Sequence, residues 1–175
     1  MWSYTNRKYC NSAVTLTLST NHSNHQSIDD HYSLKLEIEG GETSSYSKVK
    51  FRLNKVETVQ LLKSLIDCEL DKVKDKVHVP IFSVERLGVK YLVEFVRNYY
   101  DETEGNEAES KEEYIGWDFK VAVYTDEMIG DCSVELNFKF TEHGDSAEHE
   151  LTRISEFATP ALKQIQKESV KAELK

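Results

Sequence analysis

Residues 48–67 read KVKFRLNKVETVQLLKSLID and combine two periodicities in one short segment. In the first six residues apolar and cationic side chains alternate, which is typical of a strand with one face on a core and the other in solvent. The cationic positions are Lys48, Lys50 and Arg52. From residue 56 onward the apolar residues recur every three or four positions, which predicts an amphipathic helix. The segment therefore predicts a strand that leads directly into a helix.

The junction between these two patterns carries a helix start signal. Asn54 stands before the helical pattern and Glu57 follows three residues later. An N-cap Asn accepts a bond from the first-turn backbone, and a Glu at the third helical position can bond back to the cap. This pair predicts a helix over residues 55–67. The Lys- and Asp-rich residues 71–76 predict a connector.

The residues before this segment predict two further strands. Apolar side chains alternate with threonine over residues 13–18 and with charged residues over 34–39, where Leu34, Leu36 and Ile38 share one face. Alternation of this kind predicts half-buried strands. Residues 1–12 are polar and aromatic without a period, which fits either a flexible arm or an edge strand.

The second half of the chain begins near Val77 with more strand-like segments. Residues 78–84 predict a strand that Pro80 restricts to an edge or an early position. Residues 89–96 favour a strand through their Val, Tyr and Phe content, with a helix as the alternative because some of the apolar spacing is helical. Residues 117–123 and 134–140 alternate cleanly and predict a pair joined through a hairpin connection at 125–132.

The C-terminal residues predict helix. Leu151, Ile154 and Phe157 lie on one helical stripe. Thr159 followed by Pro160 then predicts a new helix start, because proline is favoured at the first helical position.

The order of elements is strands, helix, strands, helix. It predicts an α+β fold, with a largely antiparallel sheet and two amphipathic helices, in a single domain over residues 1–175. The first half would cover residues 13–76 and the second residues 77–175. No residue string repeats between the halves, so duplication is inferred from element order alone.

The net charge of −9 is unevenly distributed. Residues 101–113 alone carry −6, which leaves −3 for the rest of the chain. This run predicts a solvated acidic loop. The overall acidity argues against generic charge-driven adhesion to DNA or acidic membranes, but a mildly acidic body leaves room for a local basic face.

Composition also predicts the cellular setting. No apolar run reaches the roughly 18–20 residues of a membrane span, and the first residues lack a signal-peptide pattern. Cys10, Cys68 and Cys132 are far apart and form no CxxC pair, which predicts reduced thiols and a cytoplasmic protein. An intermolecular disulfide is the alternative.

Motifs for catalysis and cofactors are absent from the sequence. There is no nucleophile-elbow or cysteine-protease signature and no phosphate-binding glycine loop. His22, His25 and His31, with Asp29 and Asp30 beside them, could ligate zinc, but structural zinc sites usually include cysteine and this stretch has none. We therefore predict a non-enzymatic protein without a metal or cofactor.

A binding surface is the remaining candidate site. Cations along a strand can follow a nucleic-acid backbone, and aromatic rings can stack on bases for roughly 1–3 kcal/mol each. Tyr99 and Tyr100 are further aromatic residues, on a candidate neighbouring strand. The alternative is a plain solvated face whose cations pair with Glu37 or Glu39 across strands. The predicted binding residues are Tyr46, Lys48, Lys50, Arg52, Lys90, Tyr91, Trp117 and Lys120.

Residues 48–67 resemble the last strand and helix of the positive-cofactor/whirly superfamily, including the Leu53–Asn54 junction. The resemblance implies a curved antiparallel sheet followed by a packing helix, in a unit that is dimeric or internally duplicated. It also implies binding of single-stranded DNA or RNA across the sheet. On this match Lys48, Lys50 and Arg52 correspond to the basic last strand, and a homodimer is a further expectation.

The acidic run supports a second hypothesis from another class. Residues 101–113 would let an interaction or inhibitory protein bind a basic partner or imitate nucleic-acid phosphates. The two hypotheses predict opposite charges for the ligand.

Overall fold

The structure is a computed structural model, and it describes residues 1–6, 13–21, 31–39, 46–73, 76–101, 112–125, 133–141 and 147–173. Of the predicted features, the connection 125–132 lies mostly outside these residues. So do Cys10, Cys132, His22, His25 and the two aspartates beside them.

The first sheet contains four antiparallel strands in sequence order: β1 (Trp2–Asn6), β2 (Ala13–Asn21), β3 (His31–Glu39) and β4 (Tyr46–Leu53). The strands predicted over 13–18, 34–39 and 48–53 are confirmed. Of the two alternatives for residues 1–12, a flexible arm or an edge strand, Trp2–Asn6 forms the edge strand. Leu16 lies opposite Leu36 and Leu18 opposite Leu34, so one face of the sheet is apolar.

Helix α1 (Lys55–Ile66) starts where the sequence predicts. The backbone N–H of Glu57 donates to Asn54 Oδ1 over 2.9 Å, and the backbone N–H of Asn54 donates to Glu57 Oε2 over 2.8 Å. The predicted capping pair is therefore present in both directions. A short 3-10 helix (Leu70–Lys72) follows and leads toward the second sheet.

The second sheet repeats the antiparallel order with β5 (His78–Arg86), β6 (Val89–Asp101), β7 (Glu112–Thr125) and β8 (Ser133–Lys139). Pro80 lies in the edge strand β5, as predicted. Residues 89–96 are strand and not the alternative helix, because their backbone pairs with β5 and β7 on both sides.

The loop within the acidic run 101–113 is shorter than the sequence predicts. Asp101 ends β6 and pairs with Glu112, the first residue of β7, and Tyr100 pairs with Glu113. Both ends of the run are therefore strand, because their backbones continue the ladder between β6 and β7. Residues 102–111 lie outside the described part of the chain.

Helix α2 (Ala147–Glu173) corrects the prediction of a new helix start at Thr159 and Pro160. The helix is continuous, with Pro160 in its interior. Phe157 on one side of the proline and Ala161 and Ile165 on the other are buried on the same stripe. Packing of that continuous stripe outweighs the missing backbone N–H of proline. No described helix combines the length and apolar character that crossing a bilayer requires.

One hydrophobic core joins residues of both sheets and both helices. α1 packs against α2 and β5, α2 packs against β1, and β4 lies beside β8. The helices thus lie on the inner faces, and the outer faces carry the polar residues of each strand. The observed class is α+β with two antiparallel sheets and two helices. That the halves arose by duplication stays a prediction.

Candidate nucleic-acid interface

The outer face of the first sheet carries the predicted basic row. Alternation along β4 buries Val49 and Leu53 and leaves Lys48, Lys50 and Arg52 exposed. Because alternate strand residues are separated by about 7 Å, the three cations form a straight row along β4. Within the described part of the chain their side chains make no ion pair.

The neighbouring strand β3 extends this charge. Its register places Glu37 opposite Lys48, Lys35 opposite Lys50 and Ser33 opposite Arg52. Lys35 Nζ lies 2.5 Å from Glu37 Oε2, so the one carboxylate in this group is already engaged. The five charged residues carry a net charge of +3. Lys35 was not among the predicted site residues, although the alternation of β3 already placed it on this face.

Beyond the cations the outer face carries small hydroxyl residues, of which Thr15 is half-buried and Thr17 and Ser33 are buried. Thr15 and Thr17 of β2 lie opposite Glu37 and Lys35, and Thr15 Oγ1 lies 3.5 Å from Thr5 Oγ1 of β1. Lysine, arginine, serine and threonine side chains all bind phosphate and sugar oxygens. The part of this face that a polyanion can reach is therefore the exposed cationic row of β4, with Thr15 half-buried on β2. Tyr46 starts β4 opposite Glu39, and its side chain lies outside the described residues.

Four of the predicted site residues lie on the second sheet, away from this row. Tyr91 and Trp117 are on its inner face, in register with Val123 and Arg97. Trp117 is 1% exposed, and the Arg97 guanidinium lies 4.7 Å from its ring centroid. The prediction of Trp117 as a base-stacking residue conflicts with this burial. Alternation along β7 places Trp117 on the same face as Phe119 and Val121, and this apolar face packs on the core.

Lys90 and Lys120 are on the outer face of the second sheet, and only Lys90 is exposed. Lys120 Nζ lies 3.4 Å from Glu94 Oε1 and 3.3 Å from Glu135 Oε1. Burial by itself lowers the pKa of Lys120, but bonds to Tyr124 and Glu135 outweigh it and raise that pKa. Lys120 is therefore a charged side chain that is already paired with the carboxylates of Glu94 and Glu135. This makes it a poor candidate for phosphate binding.

A groove of about 770 Å³ lies between the start of α2 and the segment that links α1 to the 3-10 helix. Its apolar lining includes Ile66, Leu70 and Leu151, and Cys68 also borders it. The charged residues around it carry a net charge of −3; they are Glu69, Asp71, Lys72, Glu148 and Glu156. Sequence analysis missed this acidic groove because it joins residues about 80 positions apart. The described residues hold no group of three or more potential metal ligands.

Comparisons with known proteins give a result at the level of fold. No protein-family model matches the chain, and no curated protein matches it. The structure of WHY3 from Arabidopsis thaliana aligns with a TM-score of 0.54 and 11% sequence identity, over 99% of this chain and 93% of that one. WHY1 from the same plant gives 0.46 and 14%, over 98% and 91%. The WHY3 likeness shows the fold, and the chain therefore has the whirly-like α+β fold that residues 48–67 predicted.

Proposed function

We propose that this protein binds single-stranded nucleic acid on the outer face of its first sheet and catalyses no reaction. The observation that carries the proposal is the row of three exposed cations, Lys48, Lys50 and Arg52, which have no partner carboxylate in the described residues. Lys35 and Thr15, both half-buried, lie on the same face beside this row. The phosphate backbone would lie along β4.

The fold supports single strands as the ligand. Residues 48–67 resemble a superfamily whose members bind single-stranded DNA or RNA across the sheet, and the fold agrees with that resemblance. Of the predicted binding residues, we retain Lys48, Lys50, Arg52 and, at the start of the same strand, Tyr46. We also propose that residues 1–175 form one domain, and that the protein acts in the cytoplasm as a homodimer.

Fluorescence anisotropy with labelled single- and double-stranded oligonucleotides tests the proposal. We expect micromolar or tighter binding to single strands at about 50 mM salt and a steep loss of affinity as salt rises. Lys50→Glu combined with Arg52→Glu should abolish binding without loss of stability, because both side chains are exposed and Lys50 lies opposite Lys35. If the wild-type protein does not bind single strands at low salt, the proposal is refuted.

A matched control separates the basic row from net charge. Lys63→Glu with Lys163→Glu makes the same change in charge at two exposed helix positions away from the sheet face. If binding depends on the row, this control keeps most of its affinity. Equal loss in both double variants would mean that overall charge alone drives the interaction.

The acidic groove favours a second candidate function, the binding of a basic protein segment. An amphipathic cationic helix would place its apolar stripe against Ile66 and Leu151 and its cations near Glu69 and Glu156. Titration of a labelled Lys- and Leu-rich amphipathic peptide tests this. Glu69→Gln with Glu156→Gln should weaken peptide binding and leave oligonucleotide binding unchanged. Unchanged peptide affinity in that variant would reject the groove as the peptide site.

A further inference from the structure

The turn between β5 and β6 has an unusual residue at its tip. Arg86 and Val89 form the last pair of the two strands, so Leu87 and Gly88 are the two central residues of the turn. Their φ angles are 51° and 75°. Positive φ at both central positions is the geometry of the tight hairpin turns in which Asn or Asp followed by Gly is preferred. Gly88 fits that preference, whereas leucine is disfavoured in this region because of its Cβ.

The side chain of Leu87 is also fully in solvent. It is 95% exposed, so within the described part of the chain no packing contact offsets its unfavourable backbone conformation. Val56, in the first turn of α1, is a second exposed apolar residue at 76%. Asparagine at position 87 would suit both the backbone and the solvent better. Leucine fits neither the backbone conformation nor the exposure to solvent, and this indicates a contact with another molecule.

Arg86 fixes this turn beside the end of the basic row. Its Nε donates to Glu57 Oε1 over 3.1 Å, and its Nη2 bonds the second oxygen of the same carboxylate. Its Nη1 donates to the backbone carbonyl of Arg52 over 3.2 Å. The Tyr91 ring lies 5.8 Å from the guanidinium. The residue before Leu87 is therefore held at once to α1 and to the last cationic position of β4.

We propose that Leu87 is an apolar contact for the bases of the single strand whose phosphates lie along Lys48, Lys50 and Arg52. This inference rests on the function proposed above. Unpaired bases present apolar faces, and leucine is among the side chains that proteins insert between neighbouring bases. The exposed cations nearby favour a nucleic acid over an apolar protein partner, because such a partner would have to desolvate them.

Leu87→Asn tests the proposal, because it removes the apolar side chain and suits the turn better. We expect its melting temperature to equal or exceed that of the wild type. Its affinity for a labelled oligothymidylate should fall about 5- to 10-fold, which is the loss expected when part of the contact with one base is removed. The salt dependence of binding should not change, since no phosphate contact is lost. Val77→Asn, just before the start of β5 and 45% exposed, is the matched control and should bind as the wild type does.

An oligonucleotide of the same length with abasic positions separates base contact from backbone contact. Wild type and Leu87→Asn should bind this strand about equally. If Leu87→Asn binds oligothymidylate as tightly as the wild type, the inference is overturned and the proposed function stands. An equal loss on the abasic strand also overturns it, because the contact is then not to bases. If the wild type binds no single strand at all, both the proposed function and this inference fail.

Discussion

Lys50 of β4 lies directly opposite Lys35 of β3 on the outer face of the first sheet. Like charges in directly opposed positions destabilise an antiparallel pair. Lys35 is partly compensated by Glu37 at 2.5 Å, whereas Lys50 has no ion pair within the described residues. The folded protein therefore keeps a local repulsion that a bound phosphate would relieve.

Replacing Lys50 with threonine should separate stability from binding. We expect Lys50→Thr to raise the free energy of unfolding by about 0.2–1 kcal/mol, as it removes the repulsion. The same variant should bind single strands more weakly. Lys48→Thr is the control, because Lys48 lies opposite Glu37 and its loss removes an attraction. Urea denaturation of the two variants would contradict this account if Lys48→Thr proved the more stable.

The basic row could be predicted from sequence, but the pairing of its cations with individual residues of β3 could not. Alternation along β4 is local, so it identifies Lys48, Lys50 and Arg52 without knowledge of the fold. The opposition of Lys35 and Lys50 depends on the register of β3 and β4. The ion pairs of Lys120 with Glu94 and Glu135 likewise depend on the pairing of strands, which local alternation does not give. The burial of Trp117 could be predicted, because alternation places it on the apolar face of β7 with Phe119 and Val121.

A buried hydrogen bond attaches the N-terminal strand to the C-terminal helix. Tyr4 Oη donates to Glu150 Oε2 over 2.8 Å, and Arg153 bonds both oxygens of the same carboxylate and the backbone carbonyl of Thr5. Glu150 is buried. The carboxylate is thus a shared acceptor for a strand residue and a helix residue that are far apart in sequence.

Tyr4→Phe should therefore destabilise the protein by about 2 kcal/mol, since a buried carboxylate loses a donor. Chemical denaturation followed by circular dichroism would measure this. Tyr124→Phe is a matched control, because Tyr124 also donates to a carboxylate, Glu135, but at the surface. We expect a change of about 0.5 kcal/mol or less there. Equal effects in the two variants would show that burial of the Glu150 site is energetically unimportant.

Cys68 should react slowly in the folded protein. Burial, with a smaller contribution from Glu69, raises the pKa of its thiol to about 11. Because the thiolate is the reactive form, roughly 100-fold less of it is present near neutral pH than at an unshifted pKa. In a variant with Cys10→Ser and Cys132→Ser, iodoacetamide should modify native Cys68 far more slowly than urea-unfolded Cys68. Similar rates in both states would contradict the burial.

The same shift predicts a loss of stability in alkali. The thiol of Cys68 has a higher pKa in the folded protein than in the unfolded chain, so the folded state favours the neutral thiol. This stabilisation is fully present below the pKa of the unfolded chain and is lost as pH rises toward about 11. The free energy of unfolding should therefore fall between about pH 9 and pH 11. Cys68→Ala should show a shallower fall over that interval, because it lacks the thiol whose pKa is raised in the folded state. Superimposable profiles of the two proteins would reject the contribution of Cys68.

Pro160 gives the last prediction, at the point where local sequence signals and packing disagree. Thr159 followed by Pro160 is a common helix start, yet α2 continues through it because Phe157, Ala161 and Ile165 are buried on one stripe. Pro160 itself is exposed, and it leaves the carbonyl of Glu156 without its backbone donor. Pro160→Ala should restore that bond and raise the free energy of unfolding by about 1–3 kcal/mol.

Gln166→Ala, at another exposed position of α2, controls for general helix propensity and should change stability by about 0.5 kcal/mol or less. If Pro160→Ala is no more stable than the wild type, the proline must shape the helix in a way that Ala161 and Ile165 need for their packing. In that case the predicted helix start would act as a bend, and local sequence would control the docking of α2 on β1 and α1.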